Sequence, residues 1–244
     1  MVVVTNQLSR FELLQALPEA EQALLVSVAV RRSLPGGTLL FRQGDPTPGL
    51  HLVEQGAIKI YSLTETGAER IIDLIGRGGC CGEMGIIDRV AASAWGETLG
   101  PTELWIIPAA ALERLLLAHP AFCLSLCRVV VGRLRQTGQQ LEEAIRLGAR
   151  QRVLRSLLRL LDQHGEAVPG GIRLGVRLTH EELSRLAGTA RETVSRALLD
   201  LQDRQVIRFV GRQLTVIDPD QLRALAFRTD RNSEVDRPLP TAVR

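Results

Sequence analysis

The stretch Arg191-Glu192-Thr193-Val194-Ser195-Arg196 combines residue types and spacing that suit one particular chemistry, the reading of base-pair edges. Arginine can fork onto guanine O6 and N7, and glutamate can accept from cytosine N4. At about 100° per residue, Glu192, Ser195, Arg196 and Leu199 share one side of a helix, with Arg191 at its N-terminal border. Val194, Leu198 and Leu201 fall on the other side at i, i+4, i+7, the spacing of a buried stripe. The competing reading of any one of these charges is a solvated helix face. It weakens because the surrounding elements agree with the first.

Those elements are two short helices, a tight turn and a hairpin. Thr179 and Glu182 form a Thr-x-x-Glu capping box, and Leu183, Leu186 and Ala187 give the helix behind it an apolar face. Gly188 breaks that helix. Thr189 and Glu192 repeat the box three residues apart and open a second helix that is expected to run to about Gln202. Two capped helices joined by a glycine-containing turn are the helix-turn-helix pattern, whose second helix enters the major groove. Val206–Phe209 and Leu214–Ile217 flank Gly211-Arg212, a β-wing carrying one cation to the phosphate backbone. With that wing behind it, R-E-T-V-S-R at Arg191–Arg196 closely resembles the winged helix of the CRP/FNR family of bacterial transcription regulators. The resemblance implies that Thr189, Arg191, Glu192, Ser195, Arg196 and Arg212 contact double-stranded DNA. It also implies a pseudo-palindrome with TGTGA-like half-sites, and RNA polymerase as a further partner.

At 244 residues the chain can hold two domains with cores of their own. The net charge of +3 is mild but uneven: residues 148–228 carry 14 Arg and no Lys against 9 Asp plus Glu. A basic DNA-facing part beside a slightly acidic remainder is the asymmetry of a regulator with a separate sensor. Four cysteines, with no basic segment and apolar core after Met1, point to the reducing cytoplasm. The longest uncharged apolar run, Leu115–Cys127, contains His119 and Pro120 and is too short to span a bilayer.

The rest of the chain has a different rhythm. Asn6–Val30 has helical periodicity broken at Pro18. Thr38–Arg42, Leu50–Glu54, Ala57–Leu63, Glu69–Ile75, Ser93–Thr98 and Thr102–Ile107 are short β-rich runs between glycine turns, the pattern of a sandwich or jelly roll. Phe41-x-x-Gly44-Asp45 and Leu52-Val53-x-x-Gly56-x-Ile58-x-Ile60 look like the cyclic-nucleotide-binding barrel that opens the same family. Leu112–Leu117 is a short helix, and a long one follows from Pro120 to about Leu147. Along it Cys127, Val131, Leu134, Gly138, Leu141 and Ile145 form a heptad seam, either a two-stranded dimer helix or a stripe packed on its own barrel. In the family this helix pairs two subunits, with a hinge where Gly148 falls. Val153–Leu161 is an amphipathic helix, Ile172, Leu174, Val176 and Leu178 alternate as a strand, and a last helix ends near Phe227. The expected architecture is α+β: an N-terminal β jelly-roll barrel (1–118), a long dimerisation helix (119–147, pairing through 121–147) and a C-terminal winged helix-turn-helix (148–228). The polar residues 229–244 form an expected disordered tail.

Gly82-Glu83-Met84-Gly85 followed by Ser93-Ala94 resembles the phosphate-binding cassette of the cAMP-binding members. There, backbone amides and the serine hold the cyclic phosphate, the glutamate takes the ribose 2′-hydroxyl, and an arginine before the serine neutralises the phosphate. Glu83 and Ser93 match, and Thr137 stands where an adenine contact would be. The arginine position is Ala92, however, the segment is one residue shorter, and a second helix contact is Gly138. Arg89 lies on the wrong side of two alanines. Losing a charge-assisted contact costs on the order of 1.5–3 kcal/mol, so cAMP is disfavoured and another small effector, or none, shares the remaining readings. Cys80-Cys81, and Cys123 with Cys127 at i and i+4, could hold a metal or haem, but small buried hydrophobes are the commoner fate of such residues. The family's iron–sulfur branch needs cysteines before Cys80, and its haem branch a histidine where Gly82 stands. The histidines show no ligand spacing. No metal site is expected, and no nucleophile elbow, Walker loop or HExxH motif marks an enzyme. The rival reading, from the barrel alone, is a cyclic-nucleotide-binding regulatory module that does not read DNA.

Overall fold

The computed structural model describes residues 8–211 and 213–228. A 3-10 turn (Glu12–Ala16) and α1 (Glu19–Val28) lead into β1 (Val30–Leu34), β2 (Leu39–Phe41), β3 (Gly49–Gln55), β4 (Ile58–Leu63), β5 (Glu69–Ile75) and β6 (Cys80–Cys81). A single helical turn, α2 (Met84–Ile87), precedes β7 (Trp95–Thr98), β8 (Thr102–Pro108), α3 (Ala109–Ala118) and the 27-residue α4 (Pro120–Arg146). Then come α5 (Ala149–His164), β9 (Gly165–Val168), β10 (Gly171–Leu174), α6 (His180–Ala187), α7 (Arg191–Asp203), β11 (Ile207–Val210), β12 (Gln213–Val216) and α8 (Pro219–Phe227).

Two antiparallel four-stranded sheets, β1-β8-β3-β6 and β2-β7-β4-β5, form the expected jelly roll. β3 is buried at six successive positions, which a strand with one solvated face cannot be. Its pleat sends Leu50 and Leu52 outward to a helical layer and Val53 inward between the sheets. The outer layer comprises the 3-10 turn, α1, α3 and the start of α4, with Phe11, Leu14, Leu112, Leu115, Phe122 and Leu126 in one core with Leu50, Leu52 and Trp105. The helical reading of Asn6–Val30 needs correction at its end: Val30 is the first residue of β1 and pairs with Ile106. Asn6 lies outside the described residues.

Pro120 stands in the first turn of α4, where its missing N–H costs nothing. A helix of 27 residues is about 40 Å long. Its first turns pack on the barrel, and farther along one face, Arg133, Gln136 and Thr137, lines a cavity against it. On the seam Leu134 (71% exposed), Leu141 (63%) and Ile145 (76%) stand free, so the seam does not pack on its own barrel.

The C-terminal unit folds α5–α8 around Val153, Leu157, Leu161, Val194, Leu198, Leu201 and Leu222, with the sheet β11-β12-β10-β9 alongside. The strand expected over Ile172–Leu178 stops at Leu174. Gly175 N–H donates to the His164 carbonyl instead of extending a ladder, and β10 pairs with β9, a four-residue strand joined to it by the turn Pro169-Gly170-Gly171. This unit rests on the barrel through α6 and β5, where Arg185 meets Glu69 at 2.6 Å. Residues 229–244, the expected tail, lie outside the described residues. Among the described residues no single helix is long and apolar enough to cross a membrane.

Candidate nucleic-acid interface and effector cavity

The turn between α6 and α7 is built by hydrogen bonds that the sequence spells out in part. Thr179 Oγ1 accepts from Glu182 N–H while the Glu182 carboxylate accepts from Thr179 N–H, the expected capping box. Gly188 closes α6 in the left-handed region (φ +61°), a conformation in which glycine carries no Cβ penalty. The second box is not formed. Thr189 N–H donates to the Ser184 carbonyl and so belongs to the end of α6, and the residue before α7 is Ala190, whose side chain caps nothing. Thr189 is therefore a turn residue, and Glu192 sits in the first turn of α7 without a capping partner.

On α7, Val194, Leu198 and Leu201 are buried, whereas Arg191, Glu192, Arg196 and Leu199 face solvent. Among the described residues Arg191, Glu192 and Arg196 make no ion pair. Ser195 is not equally free: its hydroxyl lies 2.9 Å from His180 Nδ1, a cross-brace between the two helices that no spacing rule would have suggested. β11 and β12 form the wing, with Phe209 opposite Leu214. Arg212, expected at its tip, lies outside the described residues.

The second site is a cavity of about 250 Å³ between the sheet β2-β7-β4-β5 and α4. It is lined by Gly82, Glu83, Met84, Gly85, Ser93 and Thr137, all the residues expected for an effector, and by Ala92. Gly82 has φ +92°, and a Cβ there would lie 2.6 Å from the Gly49 carbonyl oxygen, so the chain turns under the cavity only with glycine. Ala92 is buried, its backbone tied to Asp45 O and Gly44 N–H. Arg89 turns outward to Glu113 (3.7 Å) and does not line the cavity. Met84 is half exposed, and the Thr137 hydroxyl donates to the Arg133 carbonyl one turn back.

Arg133 is the residue that sequence reasoning missed. Its guanidinium enters the cavity, donates to Glu83 Oε1 and to the Cys80 carbonyl, and lies 3.6 Å from Asp73 Oδ2. The cavity does contain a cation, then, supplied by α4 rather than by position 92. Burial opposes the charge on Arg133, but Glu83, Cys80 and Asp73 outweigh it and raise its pKa. Burial raises the pKa of Asp73 despite Arg133. The available signal was spacing: Arg133 precedes Thr137 by four residues and so shares its helix face.

Cys81 is buried in the cavity wall, and the buried Cys80 packs with Leu50 and Leu52 in the outer core. Burial, helped by Glu83, pushes the Cys80 thiol up to about 12 and Cys81 well above its usual value, the reverse of a thiolate ready for a metal. His51 on β3 packs at 5.6 Å from the Phe41 ring, and its Nδ1 has no partner among the described residues; burial holds its pKa down at about 4.

Residues 31–119 match the cyclic nucleotide-binding domain family, and residues 151–225 match the Crp-like helix-turn-helix domain family. The chain is 33% identical to the cyclic AMP receptor protein of Thermus thermophilus over 215 residues, 88% of this chain and 96% of that one. The chain belongs to the CRP/FNR family of transcription regulators. A second relative within the family is the CRP-like cAMP-activated global transcriptional regulator of Mycobacterium tuberculosis, 28% identical over 88% of this chain and 96% of that one. The fold matches FixK2 from Bradyrhizobium japonicum with a TM-score of 0.72 at 24% identity, covering 81% of this chain and 97% of that one. A CRP/FNR regulator reads DNA through its Crp-like helix-turn-helix, and the reading as a sensor module without DNA contact is not favoured.

Proposed function

We propose that this regulator is a cytoplasmic homodimer, joined through residues 121–147, that reads a pseudo-palindrome with TGTGA-like half-sites and acts through contacts with RNA polymerase rather than as an enzyme. Arg191, Glu192 and Arg196 read bases, while Thr189 and the wing residue Arg212 hold the backbone. Ser195 acts indirectly, by bracing α7 through His180. Paired in parallel along α4, two copies set their α7 helices one DNA turn apart, about 34 Å. What carries this reading is one coincidence in a single chain: a base-reading face with uncommitted charges on α7, and an uncovered apolar seam on α4.

The barrel cavity is the effector site, and it is not built for cAMP, because Ala92 stands in the place of the phosphate arginine and Arg133 is already held by Glu83. Sedimentation at micromolar concentration tests the assembly. The wild type should run as a dimer. Leu134→Asp with Leu141→Asp should run as a monomer and lose about 10²–10⁴-fold in site affinity, the contribution of binding two half-sites at once. A monomeric wild type would overturn the reading.

A further inference from the structure

The polar groups of the effector cavity are unevenly committed. Asp73, Glu83 and Arg133 are its acidic and basic lining residues, two carboxylates against one guanidinium. The guanidinium is spent on Glu83, the Cys80 carbonyl and Asp73. Glu83 is 1% exposed, and its Oε2 has no hydrogen-bond partner among the described residues. The remaining walls are chiefly apolar, including Phe41, Ile60, Ile75 and the buried methyl of Ala92.

An anion entering this space would meet a lining that carries a net negative charge; Ser93, Thr47 and Gln136 offer it neutral donors, but a cationic partner only if Arg133 is drawn away from two carboxylates. Protonation of Asp73, whose pKa burial raises, would bring the lining only to neutrality and would free no cation. A neutral or cationic molecule meets the opposite situation. A single N–H or O–H donor satisfies a buried carboxylate oxygen, and leaving such an oxygen unsatisfied is costly. We propose that the cavity takes an uncharged or cationic small molecule with an apolar body that donates to Glu83 Oε2, and that it excludes anions. The proposal rests on reading the cavity as the effector site.

The chain has two methionines, Met1 and Met84, and Met84 lines the cavity, so methyl-labelled methionine gives a direct report. Benzylamine, benzyl alcohol and benzoate share a ring and differ in charge; adenosine and cAMP form a second matched pair. In the wild type the Met84 signal should move with benzylamine, benzyl alcohol and adenosine at concentrations where benzoate and cAMP leave it in place. Glu83→Gln releases Arg133 and should let benzoate and cAMP bind about tenfold more tightly than in the wild type. Asp73→Asn, which keeps the Glu83–Arg133 pair, should relax the exclusion in the same direction. A Met84 response to benzoate or cAMP at lower concentration than to their partners would overturn the proposal, as would silence from all five probes. Operator affinity measured with the bound probe separates the two readings. The expected charge preference with unchanged DNA binding would uphold the selectivity and remove the cavity from the effector role.

Discussion

The base-reading face of α7 and the barrel cavity both concentrate charge, and they hold it in opposite ways. On α7, Arg191, Glu192 and Arg196 are exposed and make no ion pair among the described residues, so they are free for a partner outside the chain. In the cavity Arg133 and Glu83 are paired with each other, and among the described residues the buried lining atom left without a partner is a carboxylate oxygen. Charges left uncommitted on a rigid helix define a surface that recognises a charged polymer. Charges cancelled inside a semi-enclosed space define one that selects by shape and by single donors. The family pattern is thus carried through on α7 and interrupted in the cavity, where Ala92 stands in the place of the arginine.

The barrel should weaken in acid. Unfolded His51 takes up its proton near pH 6.5, whereas the folded residue resists down to about pH 4. The unfolded chain thus binds more protons between these values, and the contribution of His51 to barrel stability is full above pH 6.5 and lost as the pH falls to about 4. The loss should be on the order of 3 kcal/mol. Both tryptophans, Trp95 and Trp105, lie in barrel strands, so tryptophan fluorescence during urea unfolding follows the barrel and not the DNA-binding unit. His51→Gln should flatten most of the slope; an unchanged slope would assign it to other groups.

Restoring a second cation to the cavity should make it behave more like the family pattern. Ala92→Arg is expected to raise cAMP affinity by about ten- to a hundredfold, the equivalent of a bidentate Arg–phosphate contact worth roughly 1.5–3 kcal/mol. Calorimetry on both proteins checks it. Tight cAMP binding by the wild type would mean that Arg133 leaves Glu83 to serve the phosphate. No gain in the variant would mean that the shortened loop points position 92 elsewhere.

The smallest effect belongs to α7. Its first turn lacks a side-chain cap, so Ala190→Ser should stabilise the C-terminal unit by about 1 kcal/mol in thermal unfolding. No gain would show that the α7 N-terminus is already satisfied in another way.

Most of the fold was legible because its punctuation is local. Glycine turns bounded the longer strands, and the Thr179–Glu182 box with Gly188 marked α6. What was illegible depended on distance. β1, β6 and β9 are strands because a partner lies beside them, Val30 through Ile106 and Cys80 through Leu52, and their own residues carry little periodic signal. The cap of α7 was misplaced by one residue because Thr189 has the right side chain, yet its N–H is needed to close α6. Arg133 was passed over because an arginine on a helix reads as solvated. Only the approach of Glu83, fifty residues away in the chain, turns it inward.

The central claim is that α7 reads sequence, and selection from random duplex DNA tests it most directly. The wild type should enrich a pseudo-palindrome with a TGTGA-like half-site. Arg196→Ala should lose about 1–3 kcal/mol on the best site and relax the preference at one G·C pair while keeping the rest of the motif. Enrichment of an unrelated motif, or an Arg196→Ala protein with unaltered preference, would contradict it.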